Sequence, residues 1–342
     1  MAEKLKRVIL DTDIGTDVDD VLALAFALGS PEIDLVGVTV VDGDVRTRAK
    51  MAARVLGMAG RSDIPVFMGE SSPIGAGRMP TWFGHEGEGL LDLPWHGEEA
   101  TISEVHASEW MVEQAKKEPI DLVAVGPFTN VARAVQLDSD FSSRVKSLTV
   151  MGGMVFPQHY DAPWSDFFQE TGLPPHHMDH NTASDLEASL IMAQAGFNLT
   201  WVTAELTFCT TLDRSKSMKF SAGGSILGDR IVRMIDIWSS RFFRVIPAFP
   251  EVAEPFPPDA VAALHDPLAI SALFGGQWLG LEDLHLEFGI ENNLFRVSPQ
   301  EGSSNGAPRG EGKKHRVSVS VDRSAFADLF SERVLSFLSR LT

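Results

Sequence analysis

The chain has 342 residues, 44% of them apolar, enough to bury the core of one large α/β domain or of two ordinary ones. Its formal net charge of −18, with 29 Lys and Arg residues and no long basic run, repels polyanions, so nucleic acid and anionic membrane are excluded as expected partners. The single cysteine, Cys209, rules out an intrachain disulfide and any zinc site built from several thiolates.

The basic first residues are followed only by Val8, Ile9 and Leu10 before Asp11 interrupts, whereas a secretory segment needs about 7–15 apolar residues. No later stretch reaches the roughly 18 apolar residues of a membrane span. The expectation is a soluble, cytoplasmic protein.

Over the first 200 residues, short β-branched runs alternate with longer helical patterns, the signature of βαβ units and a mainly parallel sheet. Strands are expected at 7–10, 35–41, 64–68, 120–125, 147–151 and 199–203, with helices at 19–28, 46–59, 103–117, 130–137 and 185–195. Ser184 and Glu187 have the spacing of a capping box for the last of these helices. Further on, the pattern gives a helix at 226–244, a proline-rich stretch at 247–258 and a helix starting near Pro267. A strand at 284–291, extendable to 297, a strand at 316–321 and a helix at 324–340 close the chain. Residues 298–314, rich in Gly, Ser and Pro, read as a mobile loop. No repeat or linker divides the chain. The expected architecture is one α/β domain over 1–342: an open, mainly parallel Rossmann-like sheet with helices on both faces and a C-terminal antiparallel hairpin.

Parallel sheets bind ligands beyond the carboxyl ends of their strands. Directly after the first strand stands Asp11-Thr12-Asp13-Ile14-Gly15-Thr16-Asp17-Val18-Asp19-Asp20, with five aspartates in ten residues. Capping and the helix dipole account for one or two acids at a helix start, not for five. Such crowded like charges call for a cation, and oxygen-only donors select a hard one. A site that also admits substrate hydroxyls suits the flexible shell of Ca²⁺ better than that of Mg²⁺. At a later strand end, Gly126-Pro127-Phe128-Thr129-Asn130 follows a carbonyl that can point into the site. His265-Asp266-Pro267 sets an imidazole beside a carboxylate just ahead of a helix, although a lone histidine is more often structural.

Taken in order, these segments resemble the inosine-uridine nucleoside hydrolase family over nearly the whole chain. Asp11, Asp13, Gly15, Asp19 and Asp20 follow its opening Asp-x-Asp-x-Gly and Asp-Asp pattern, with a spacer two residues longer, so that either Asp17 or Asp19 takes the first place of the pair. Val40-Val41-Asp42-Gly43-Asp44 is similar to its Val-x-Gly-Asn segment, with Asp44 in place of Asn. His85-Glu86-Gly87-Glu88-Gly89-Leu90, Met151-Gly152-Gly153 and Asp179-His180-Asn181 with Asp185 and Glu187 match further motifs. His265-Asp266-Pro267-Leu268-Ala269 repeats the last motif unchanged.

The resemblance implies hydrolysis of the N-glycosidic bond of a small-molecule ribonucleoside by a homodimer or homotetramer. It implies Ca²⁺ on Asp13, Asp20, Asp266 and the carbonyl of Val125. Asp13 is the expected base for the attacking water and His265 the expected acid for the leaving base. Asp19, Asp44, His85, Asp179 and Asn181 are expected on the substrate, and Trp82, Trp164, Phe167 and Trp238 are candidates to stack on the base. The long stretch 155–178 reads either as a roof over the leaving-group pocket or as an insertion packed by its own aromatics.

Two other readings compete. In a haloacid-dehalogenase-like phosphatase, Asp11 would be the nucleophile beside Mg²⁺. An inactive ribose- or metal-binding module would keep the pocket without the chemistry.

Overall fold

The computed structural model describes residues 5–75, 77, 83–245, 253–300 and 313–341. Its strands are β1 (Lys6–Thr12), β2 (Ile33–Val40), β3 (Val66–Met68), β4 (Ile102–Ser103), β5 (Asp121–Ala124), β6 (Ser147–Met151), β7 (Leu199–Val202), β8 (Thr211–Asp213), β9 (Ala260–Ala263), β10 (Leu279–Glu291), β11 (Leu294–Pro299) and β12 (Lys314–Val321). Ten of them form one sheet in the order β11-β10-β12-β7-β6-β5-β1-β2-β3-β4, and β8 pairs with β9 apart from it. From β12 to β4 every neighbour is parallel, while β10 runs antiparallel to both β12 and β11. The α/β class, the mainly parallel sheet and the C-terminal hairpin are therefore as the sequence indicates.

Alternation along β1 explains the layering, because successive side chains of a strand face opposite sides. Val8 and Leu10 pack into one apolar core and Ile9 into another. Helix Asp19–Gly29 is buried from Asp19 to Ala27, and it packs against helices His265–Ser271 and Arg323–Leu338. On the other face lie helices Ala107–Lys117, Thr129–Leu137 and Leu186–Gln194.

Several boundaries differ from the sequence reading, each for a local reason. The capping box at Ser184 is not formed. Asp185 caps the helix instead: its Oδ1 accepts from Ala188 N at 3.1 Å, and its Oδ2 accepts from Ile74 N at 2.6 Å and Thr129 Oγ1 at 3.0 Å. Helix Ala107–Lys117 starts later than residue 103 because Ile102 and Ser103 pair with β3 and the His106 ring accepts from Ser108 N. The strand expected to run on to 297 turns back at Asn292 and Asn293, whose φ of 52° and 58° suit a tight hairpin turn. Of the expected loop 298–314, Ser298 and Pro299 belong to β11 and Lys314 to β12, while 301–312 lie outside the described residues. Trp82 and residues 247–252 of the proline-rich stretch lie outside them as well. Among the described residues no helix is long and apolar enough to cross a membrane.

Candidate active site

β1 lies between β2 and β5, so the chain's connections leave it in opposite directions and a crevice opens at its carboxyl end. A cavity of about 690 Å³ fills that crevice. Asp13, Asp19, Asp20, Asp266 and Asn181 line one part of it, with Val125 beside them. Phe83, Phe208, Trp238, Phe242, Phe243 and Phe256 line another. A polar floor beside an aromatic wall suits a ligand with a hydroxylated half and a flat apolar half.

The acidic floor comes from two chain segments far apart in sequence. Asp19 and Asp20 open the first helix, and Asp266 opens helix His265–Ser271. One carboxylate oxygen from each of Asp19, Asp20 and Asp266 lies within 4.8 Å of the others. Burial first, and then the neighbouring aspartates, hold all three carboxyls well above the usual carboxylate range. Thr12 Oγ1 donates to Asp20, and Asp266 N donates to Asp19 at 3.4 Å. Asp19, expected on the ribose, thus joins this cluster with Asp20 and Asp266. Asp17, two residues before Asp19 and ahead of the helix, also lines the cavity and is pushed up to about 7 by burial.

Asp13 forms a second group with Asp42 and His180, whose Nε2 is 4.0 Å from Asp13 Oδ2. The end of β5 can come this close only because residue 126 is glycine. A Cβ there would lie 2.9 Å from both N and Oδ1 of Asp13 and 2.8 Å from Val41. Behind the loop, the buried Arg48 donates to the Asp13 and Ile14 carbonyls and to that of Asp42, the last at 2.7 Å. No motif in the sequence marks Arg48. Val125 O accepts from Asn181 Nδ2 at 2.5 Å, and Met151 O accepts from the same amide at 3.1 Å.

Three expected substrate contacts sit elsewhere. Asp44 is exposed and caps helix Val45–Met58, accepting from Arg46 N, Thr47 N and Thr47 Oγ1. The aspartate of that segment that faces inward is Asp42, which adopts a φ of 71° and is pushed up to about 6 by burial and by Asp13. Asp179 is buried, accepting from Gly153 N at 2.8 Å and from Thr182 N and Oγ1, so it orients the segment that carries Asn181. His85 stacks on Phe242 at 4.2 Å and on Trp238 at 5.9 Å, behind the aromatic wall.

His265 does line the cavity. Its Nδ1 lies 2.7 Å from Thr207 Oγ1 and its ring meets Phe208 edge-on at 4.6 Å. Burial pushes its pKa down to about 3, so the ring is neutral near pH 7. In stretch 155–178 Trp164 packs on Tyr160, Phe167 and Phe168 of the same stretch and on Phe208 and Phe256, while Leu173, Pro174, His177 and Met178 line the cavity. Of the stacking candidates, Trp238 lines the cavity, whereas Trp164 and Phe167 are core residues. Asp11 is sealed from the cavity, its Oδ1 accepting from Thr39 Oγ1 at 2.6 Å and Asn130 Nδ2 at 2.8 Å. A nucleophile needs access to its substrate, so this burial removes the phosphatase reading.

The model of the family described as inosine-uridine preferring nucleoside hydrolase matches residues 8–328. The chain belongs to that family. A relative named probable uridine nucleosidase 2, from Arabidopsis thaliana, is 30% identical over 239 residues, covering 68% of this chain and 70% of its own length. The inosine-uridine preferring nucleoside hydrolase of Leishmania major is 26% identical, covering 78% of this chain and 81% of its own. In fold, the chain superposes on a purine-preferring ribonucleoside hydrolase from Gardnerella vaginalis with a TM-score of 0.77 at 21% identity, covering 98% of this chain and all of the other. As a nucleoside hydrolase, the chain is an enzyme that cleaves N-glycosyl bonds of ribonucleosides.

Proposed function

We propose that the nucleoside hydrolase works with a calcium ion held by Asp19, Asp20 and Asp266, with Asp13 and the Val125 carbonyl beside them, and that Asp13 activates the attacking water. The observation that carries this reading is the set of three buried carboxylates within 4.8 Å at the floor of the cavity. The donors fit a hard divalent cation, since all are oxygens and their charges are crowded and desolvated. When bound, calcium supplies a concentrated positive charge that offsets the aspartates and orders hydroxyl oxygens next to them.

The chain's own groups do the rest. Asp13, at the strand end and open to the cavity, accepts the proton of the water through a carboxylate oxygen. The surrounding carboxylates favour the positive charge that grows on the ribose ring, as in other glycosidic cleavages. Asn181, which lines the cavity, accepts from a ribose hydroxyl through its amide oxygen in this reading. The aromatic wall excludes water and takes the flat base.

Release of ribose from uridine and inosine, with and without exhaustive chelation, tests the metal. Activity is expected to disappear on chelation and to return with Ca²⁺. Full activity in the chelated protein, or recovery with zinc alone, would overturn the proposal.

A further inference from the structure

A base that leaves as an anion needs a proton. At the aromatic end of the cavity stands Glu254. Among the described residues its carboxyl takes part in no ion pair and no side-chain hydrogen bond, unlike Asp179 or Glu205, whose oxygens accept from nearby N–H groups. Its backbone, in contrast, is held firmly. Glu254 N donates to Arg244 O at 3.2 Å, and the Arg244 guanidinium donates to the carbonyls of Glu254, Phe256 and Pro257. Val245 and Ala253 bridge beside it, and Phe243 stacks on Phe256 at 4.3 Å. Glu254 thus carries, on a firmly held backbone, a carboxyl that has no partner among the described residues and lines the same cavity as the aromatic wall and Asp17.

We propose that Glu254 is the catalytic acid, handing its proton to the leaving base; this rests on the nucleoside hydrolase reading above. The water oxygen forms the new bond to C1′, and the electron pair of the C1′–N bond goes to the base. One water proton passes to Asp13 and the Glu254 proton passes to the base nitrogen or carbonyl oxygen. Exchange with solvent resets both carboxyls, so that nucleoside and water give ribose and neutral base.

The charged groups around Glu254 agree with this role. Burial, and then the charge of Asp17 on the loop after β1, push its pKa up to about 8, with Arg244 opposing. Phe243 and Phe256 add no charge. Glu254 is thus protonated at neutral pH and loses its proton as the pH rises through about 8.

The test compares uridine and inosine with 4-nitrophenyl β-D-ribofuranoside, whose nitrophenolate departs without a proton. Glu254→Gln is expected to lower kcat on both nucleosides by about 10²-fold or more and to keep a near-wild-type rate on the nitrophenyl riboside. Wild type should show an alkaline fall in kcat near pH 8 with nucleosides that the nitrophenyl riboside lacks. This second measurement does not depend on a variant that folds. Equal losses on both substrate types, no loss on nucleosides, or an alkaline limb shared by both would overturn the assignment. Wild type that releases ribose from neither compound overturns the hydrolase reading itself.

Discussion

Asp13→Asn is expected to lower turnover of ribonucleosides by at least about 10²-fold while the fold and most substrate binding remain. Asparagine has nearly the same shape, so it still fits against Gly126, where the space is too tight for one more carbon. The carbonyl of residue 13 stays bound to Arg48 whatever the side chain. What is lost is the negative oxygen that takes the water's proton. Measured kcat and KM on uridine, with a melting curve for each protein, separate chemistry from folding; a near-normal kcat would show that the base is another group. Asp11→Asn is the control, because Asp11 braces Thr39 and Asn130 behind the site and should affect stability before chemistry.

Ribonucleosides should be cleaved up to about 10⁴-fold better than their 2′-deoxy counterparts. In the proposed binding mode the hydroxylated half of the substrate faces Asn181 and the Asp19, Asp20 and Asp266 cluster, all of them buried. Removing one hydroxyl leaves polar groups desolvated and without a partner, which costs far more than the lost contact alone. Paired kcat/KM values for uridine and 2′-deoxyuridine measure this, and equal values would rule out a ribose-binding floor.

Much of this was legible in the residues. β-Branched runs and helical periods give the parallel sheet, and the aspartates after β1 and the His265-Asp266-Pro267 segment mark the site, because strand ends and helix starts leave local signatures. What escaped depends on three-dimensional approach. Nothing in the order of residues says that Asp42 turns inward while Asp44 caps a helix; a left-handed backbone at Asp42 decides it. Arg48 looks like any surface arginine of an amphipathic helix until the acidic loop folds over it. Glu254 sits in a proline-rich stretch with no periodicity, where the bridge from Val245 to Ala253 and the bonds to Arg244 hold it at the cavity. Asn292-Asn293 was a readable turn, masked by the apolar residues on both sides.

The carboxylate cluster joins residues 19 and 20 to residue 266, so the groups proposed to hold the cation are separated by most of the chain. Closing so long a loop is slow, and it follows the formation of local βα units. During synthesis, the first strands and helices can leave the ribosome and pack while Asp13, Asp19 and Asp20 still have no Asp266 opposite them. A nascent or truncated chain can thus hold most of the sheet and still be unable to complete the floor of the cavity. Competence to hydrolyse arrives late, with the C-terminal third, and a cation that binds only the completed floor would draw the folding equilibrium toward the whole chain.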